Sequence, residues 1–395
     1  MNVAITPAKL KGTVIPPPSK SQAHRAVLAL ALSGGEGKLS NLSVSEDIRA
    51  TEDGVAALKS GTPAGMDGLP MLDCRESGST LRFLIPVALA LRGGGCFLGR
   101  GRLMERPQTP YFEIFREKGI FWERVGNLLE VKGTLLPGEY RLQGDVSSQF
   151  VNGLLYALPL LDGDSEIVLT TPLESRGYVD MTLDVLEKFG VQAKNQNYTR
   201  FLIPGKQKFR ARDMTIEADW SQAGFWYAAG FLGNLVETAG LDPQSAQGDR
   251  VIAAHLERLS RPGDADIDVS GCPDLVPPLA AMAALRPGHT TRLTNAARLR
   301  IKESDRLAAV TRVLGALGAD VTEGPDSLTI RGKDSLAGGV KVDSFNDHRI
   351  AMMAAVAATR CVKPVTITGA ECVAKSYPNF WDDYETLGGK IQKGG

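Results

Sequence analysis

The sequence predicts an α/β protein of two similar domains, and three features carry that prediction: chain length, a repeated helix motif, and hairpins that follow amphipathic helices. At 395 residues the chain exceeds what one hydrophobic core usually supports, so two domains are expected. Six segments open with a short polar cluster and run on as an Ala/Leu-rich helix ending near Gly. They cover 19–34, 76–93, 147–163, 220–233, 273–288 and 347 to about 359. Amphipathic helices lie between them, as at 180–190 and 305–318, where apolar residues recur at helical spacing. Hairpins follow at 120–133, 191–205 and 320–332, with turns at Gly126-Asn127, near Asn195-Gln196-Asn197, and at Gly324-Pro325-Asp326. The recurring unit is strand–helix–strand–helix–hairpin. Six such units in two groups of three give two domains, 1–16 with 217–395 and an inserted 17–216. The crossovers fall at the stiff Ile15-Pro16-Pro17-Pro18 and near Thr215-Ile216-Glu217. A cleft between the halves is the expected ligand site.

Composition narrows the function. Lys+Arg and Asp+Glu are equal at 45 each, so no global field draws the chain to nucleic acid or anionic lipid. An anionic ligand would need a local cluster of cations. The five cysteines (Cys74, Cys96, Cys272, Cys361, Cys372) are scattered, which reads as a reducing compartment with thiols as apolar fillers. Residues 1–10 lack the layout of a signal or transit peptide, and no apolar run approaches membrane-spanning length; the expectation is a cytoplasmic protein. The four histidines (His24, His255, His289, His348) are isolated from one another, so no metal is expected. No Gly-rich nucleotide loop and no Gly-x-Ser-x-Gly elbow is present, and no cofactor is expected.

The polar clusters are the candidates for chemistry. A helix N-terminus leaves backbone N–H groups unpaired and carries partial positive charge, which suits phosphate or carboxylate. The first cluster places Lys20, Ser21 and Arg25 on one helix start. Ser147-Ser148-Gln149 offers two hydroxyls and an amide. In Lys302-Glu303-Ser304-Asp305-Arg306, Lys302 and Arg306 are four apart and share a helical face, with Glu303 beside them. Asn346-Asp347-His348-Arg349 opens an apolar Ala/Met helix, with Asp347 read as its N-cap. Lys375 lies near the end of the last repeat. Each cluster alone also reads as a capped, solvated helix start.

Together the clusters resemble the 5-enolpyruvylshikimate-3-phosphate synthase family, from Lys9 to Gly389. The carrying residues are SKSQAHR (19–25), ESGSTLR (76–82), ERP (105–107), SSQF (147–150), SRGY (175–178), PDL (273–275), RIKESDR (300–306), NDHR (346–349) and AKSYP (374–378). The resemblance implies an inside-out α/β barrel: two pseudo-threefold domains of βαβαββ units with helices packed inside. It implies a monomeric enzyme that closes around two small molecules. Phosphoenolpyruvate would be held by Lys20, Arg106, Arg306, Arg349 and Lys375, with Gly78 allowing close approach and Gln149 touching both substrates. Shikimate-3-phosphate would use Ser147, Ser148, Ser175 and Lys302 for its phosphate, and Ser21, Arg25 and Tyr178 for its carboxylate end and ring. Two carboxylates and two phosphates must be neutralised, so a cluster of cations makes electrostatic sense.

The implied reaction adds the 5-hydroxyl to C2 of the enol while C3 gains a proton, then eliminates phosphate. It needs a base and an acid, roles that paired carboxylates share. Asp274, facing the hydroxyl, and Glu303 are the candidates, with Lys20 and His348 as proton partners. Pro18, Glu76 and Phe83 depart from the family's usual residues and bear on inhibitor response; with Gly78 present, glyphosate is expected to compete with phosphoenolpyruvate. Two rivals stand beside this reading. A UDP-N-acetylglucosamine enolpyruvyl transferase would carry a Cys in the loop Leu98–Pro107, which has none. A non-catalytic anion-binding protein would bind without turnover.

Overall fold

The computed structural model describes residues 1–42, 45–60 and 68–394. The chain divides into two compact units, the first formed by Met1–Pro17 with Glu217–Gly395 and the second by Pro18–Ile216. It begins in the first unit with β1 (Asn2–Thr6) and β2 (Lys11–Val14). The second unit opens with α1 (Lys20–Ser33), β3 (Leu39–Ser40), α2 (Glu46–Ser60), β4 (Met71–Arg75), α3 (Gly78–Arg92), β5 (Gly94–Gly99), α4 (Thr109–Lys118), β6 (Phe121–Val125) and β7 (Leu128–Lys132). It continues through β8 (Gly138–Leu142), α5 (Ser148–Ala157), β9 (Ser165–Leu169), α6 (Arg176–Lys188), β10 (Lys194–Gln196), β11 (Arg200–Ile203) and β12 (Met214–Thr215). The chain then returns to the first unit with α7 (Trp220–Phe231), β13 (Leu235–Thr238), α8 (Ile252–Ser260), β14 (Ala265–Asp268), α9 (Val276–Ala284), β15 (Thr290–Thr294), α10 (Arg306–Leu317), β16 (Asp320–Glu323) and β17 (Leu328–Arg331). The last repeat holds β18 (Leu336–Gly338), β19 (Lys341–Asp343), α11 (His348–Ala358), β20 (Cys361–Lys363), β21 (Val365–Thr368), α12 (Phe380–Thr386) and β22 (Lys390–Gly394).

The sheets follow one plan. In the second unit the orders are β4-β5-β7-β6 and β8-β9-β11-β10; in the first they are β14-β15-β17-β16 and β19-β21-β1-β22. In each, the first two strands of the order are parallel and the remaining neighbours antiparallel. These are βαβαββ repeats, as the sequence predicts. The third repeat of each unit is shorter: only a parallel pair, β3 with β12 or β2 with β13, is formed among the described residues. In the first unit the reason is plain, because only Arg261–Asp264 separate α8 from β14, too few for a hairpin.

The Ala-rich helices lie inside. Every residue of α9 and α11 is buried, as is most of α3, α5 and α7. A helix apolar all round has nowhere else to go, and alanines let its neighbours approach closely. Around them Trp226, Met352 and Phe380 fill one core, and Phe83, Leu154 and Tyr156 the other. Five of the six polar clusters become N-caps: Ser19, Ser77, Ser147, Asp219 and Asp347 each accept a backbone N–H from the first turn of the helix that follows, as does Asp305 before α10, whereas α9 begins after Pro273–Leu275 with no side-chain cap.

Candidate active site

In the first unit the helix starts gather a dense set of charges. Arg306 opens α10 and is 1% exposed, so its charge must be met by protein. It donates through Nε to Asp347 Oδ2 at 3.0 Å, through Nη1 to Asp274 Oδ1 at 3.0 Å, and through Nη2 to Glu303 Oε2 at 2.7 Å. Arg349, second in α11, donates through Nη2 to Asp274 Oδ2 at 2.9 Å and to Ser221 Oγ at 3.0 Å. Lys302 Nζ stands 3.8 Å from Asp274 Oδ1. Asp274, in the turn before α9, is therefore gripped by two guanidinium groups and approached by an ammonium. Burial pushes its carboxyl pKa up, but Arg349, Lys302 and Arg306 together outweigh that and hold it far below the carboxylate range. Burial also lowers the Lys302 pKa, to about 8, with Asp274 opposing. Asp347 caps α11 and accepts from Ser304 as well as from Arg306. His348 is buried at the first position of α11, and Lys375 donates to the Asn346 carbonyl at 2.8 Å.

The second unit assembles the rest in smaller groups. Lys20, first in α1, is ion-paired with Asp47 of α2 at 2.8 Å. Arg25 is buried and ties α1 to α6, donating to Thr182 Oγ1 at 2.7 Å and to the Ser21 and Tyr178 carbonyls at 2.5 and 2.7 Å. Gly78 opens α3 against the Arg106 guanidinium, and a Cβ there would lie 2.7 Å from Arg106 Nη1. The buried Arg106 Nε has no hydrogen-bond partner among the described residues. Ser147 caps α5 and Ser148 is buried behind it. Ser175 precedes α6 with φ of 55°, a left-handed conformation that costs a non-glycine residue roughly 1–3 kcal/mol and is concentrated at functional sites.

One residue escaped sequence reasoning. Arg82 lies in the ESGSTLR motif but received no role. It donates to Gln149 Oε1 at 2.7 Å and to the Pro107 carbonyl at 2.9 Å, and its guanidinium lies 4.7 Å from the Phe150 ring centroid. Gln149 Nε2 in turn donates to Ser79 Oγ at 2.9 Å. Arg82 thus fixes which way the Gln149 amide faces and anchors the segment carrying Arg106. Among the described residues no group of His, Cys, Asp and Glu has the makings of a metal site.

Comparison with known proteins gives the same direction. A family model described as EPSP synthase (3-phosphoshikimate 1-carboxyvinyltransferase) matches residues 5–384. The chain is 47% identical to a 3-phosphoshikimate 1-carboxyvinyltransferase of Clostridium kluyveri, covering 99% of this chain and 98% of that one. It is 46% identical to one from Clostridium perfringens, covering 99% of each. The first of these alignments is 420 positions long against 395 residues here, so that relative carries segments this chain lacks. Among solved structures, an EPSP synthase from Acinetobacter baumannii superposes with a TM-score of 0.77 at 24% identity over 99% of this chain and 100% of that one. The enolpyruvyl transferase NikO from Streptomyces tendae also reaches 0.77, at 17% identity over 99% and 98%. These two likenesses speak for the fold.

Proposed function

The chain belongs to the EPSP synthase family, and on that premise we propose the part each assembled residue plays. The protein is a transferase of the shikimate pathway of aromatic amino acid biosynthesis: it moves the enolpyruvyl group of phosphoenolpyruvate to the 5-hydroxyl of shikimate-3-phosphate and releases phosphate. The UDP-N-acetylglucosamine reading is not favoured, and neither is a binding protein without turnover.

Phosphoenolpyruvate is assigned to Lys20, Arg106, Arg306, Arg349 and Lys375, with Gly78 giving it room and Gln149 touching both substrates. Shikimate-3-phosphate is assigned to Ser147, Ser148, Ser175 and Lys302 at its phosphate, and to Ser21, Arg25, Tyr178 and Asp274 at its carboxylate end and ring. Asp274 takes the proton of the 5-hydroxyl as that oxygen bonds to C2, and Glu303 delivers one to C3. Loss of a C3 proton with departure of phosphate then leaves the enol ether. Lys20 and His348 are the remaining proton partners. One copy of the chain carries every group assigned to turnover.

The observation that carries this reading is the grip of Arg306 and Arg349 on Asp274, with Glu303 on the same Arg306 guanidinium. A carboxylate held that acidic is a poor base. Incoming carboxylate and phosphate compete for the same guanidinium groups, and each one drawn off lets the Asp274 proton affinity recover. The anionic substrate thereby switches on the base that activates the attacking 5-hydroxyl. Replacing Asp274 by Asn is expected to lower kcat at least ~100-fold while the Kd for shikimate-3-phosphate stays within about tenfold. Turnover near the unsubstituted rate would remove Asp274 from the mechanism.

A cytoplasmic setting is part of the same proposal. All five cysteines are buried thiols rather than disulfides, as a reducing compartment favours, and no described helix is long and apolar enough to cross a membrane.

A further inference from the structure

Two rungs join α1 to α2 in the second unit. The outer one is ionic, Lys20 Nζ to Asp47 Oδ2 at 2.8 Å. Four residues further along each helix, and so on the same face one turn on, His24 meets Thr51 with Nδ1 and Oγ1 2.6 Å apart. The Lys20 and Asp47 side chains keep 14% and 13% of their exposure, whereas His24 and Thr51 are buried at 1% and 0%. The inner contact runs on into α3. Thr51 Oγ1 lies 2.7 Å from Thr80 Oγ1, and Thr80 Oγ1 lies 2.7 Å from Ser77 Oγ, the N-cap of α3. Four side chains from three helix segments form one hydrogen-bonded row, and none of the four is assigned to the reaction.

The ends of the row set its direction. Burial lowers the His24 pKa well below its ordinary 6.5, and Lys20 and Arg25 add to that, so the ring is neutral and has one N–H. His24 Nε2 is buried with no hydrogen-bond partner among the described residues. A buried N–H without an acceptor is rarer than an unfilled lone pair, so the proton belongs on Nδ1. His24 then donates to Thr51, Thr51 to Thr80, and Thr80 to Ser77, whose oxygen also accepts the Thr80 backbone N–H at 3.2 Å. The Asp47 carbonyl, 3.4 Å from both threonine hydroxyls, closes the row over the outer rung.

We propose that Thr51 is a positioning residue for phosphoenolpyruvate: through the row His24–Thr51–Thr80–Ser77 it fixes α2 against α1 and α3, and so sets where Asp47 holds Lys20 and where α3 begins at Gly78. The proposal rests on the assignment of Lys20, and of Gly78 with Arg106, to that substrate. Lys20 carries a point charge on a flexible stem, and Asp47 aims it only while α2 keeps its register with α1. Gly78 follows Ser77 directly, and the Arg106 guanidinium lies against it. A row of buried hydrogen bonds with each hydroxyl satisfied is rigid, which is what such a support requires. Thr51 is the member of the row that touches both α1 and α3. Removing its hydroxyl leaves the His24 N–H without an acceptor and Thr80 without its donor.

Two substitutions in the full chain separate the hydroxyl from the packing. Thr51→Val keeps the shape and removes the hydroxyl, while Thr51→Ser keeps the hydroxyl and removes a methyl. Steady-state phosphate release is measured with each substrate varied in turn. Thr51→Val is expected to lower kcat/KM for phosphoenolpyruvate at least about tenfold while KM for shikimate-3-phosphate stays within about twofold. Thr51→Ser is expected to recover most of that loss. Thr80→Val cuts the row one member further on, is expected to act in the same direction, and decides the matter if Thr51→Val does not fold. No release by the unsubstituted chain overturns the assigned reaction and this proposal with it. With normal release by the unsubstituted chain, three results overturn the proposal alone: a Thr51→Val value within about twofold of the unsubstituted one, an equal loss in Thr51→Val and Thr51→Ser, or a rise in KM for shikimate-3-phosphate as large as that for phosphoenolpyruvate.

Discussion

Lys302, partly buried, shows how one cation reports on the state of the site. Burial depresses its pKa to about 8 even though Asp274 lies 3.8 Å away and opposes the shift. The group is charged at neutral pH and loses its proton as pH rises through about 8. A Lys with a lowered folded pKa costs stability, in full below that pH and progressively less as pH climbs toward its ordinary 10.5. If Lys302 holds the phosphate of shikimate-3-phosphate, kcat/KM for that substrate falls by up to about tenfold per pH unit above pH 8. Lys302→Arg, whose guanidinium stays charged throughout, is expected to flatten the alkaline limb. A steady-state profile from pH 6.5 to 9.5 decides it: an alkaline limb unchanged by the substitution would take Lys302 out of substrate binding.

The start of α3 is the element where packing and binding meet most closely. Gly78 leaves the Arg106 guanidinium room to sit flat on the helix N-terminus, and a methyl there would meet Nη1 at 2.7 Å. The obstructing atoms are the far end of a flexible side chain, so Gly78→Ala moves the guanidinium rather than the fold. The expected result is a KM for phosphoenolpyruvate raised at least about tenfold with little change in Tm; an unchanged KM would mean Arg106 does not hold that substrate. The helix starts were legible in the sequence because a cap and an Ala-rich run are local signals, and so were the turns at Gly126-Asn127 and Gly324–Asp326. Hidden were the pairings across the chain. Asp47, the partner of Lys20, lies on α2, a helix too polar to stand out. Arg82 acts through Pro107 and Gln149, on two other elements, and β1 pairs with β21 and β22 from the opposite end of the chain. The short third repeat escaped notice for a related reason: its helices look like the others, and what it lacks is a hairpin.

At the scale of the whole molecule, equal numbers of acidic and basic residues conceal strong local fields. Arg306, Arg349 and Lys302 converge on Asp274 in one unit, while Lys20, Arg25, Arg82 and Arg106 gather at helix starts of the other. The proposed reaction assigns residues from both sets. Several of these cations are met by the protein's own Asp47, Asp274, Glu303 and Asp347, the pairs on which the proposed exchange at Asp274 would draw. The most direct test of the central claim is phosphate release by the purified chain with phosphoenolpyruvate and one acceptor at a time. Release with shikimate-3-phosphate and none with UDP-N-acetylglucosamine is the predicted result. Release with the uridine acceptor, or binding of both substrates of the predicted reaction with no release, would contradict it.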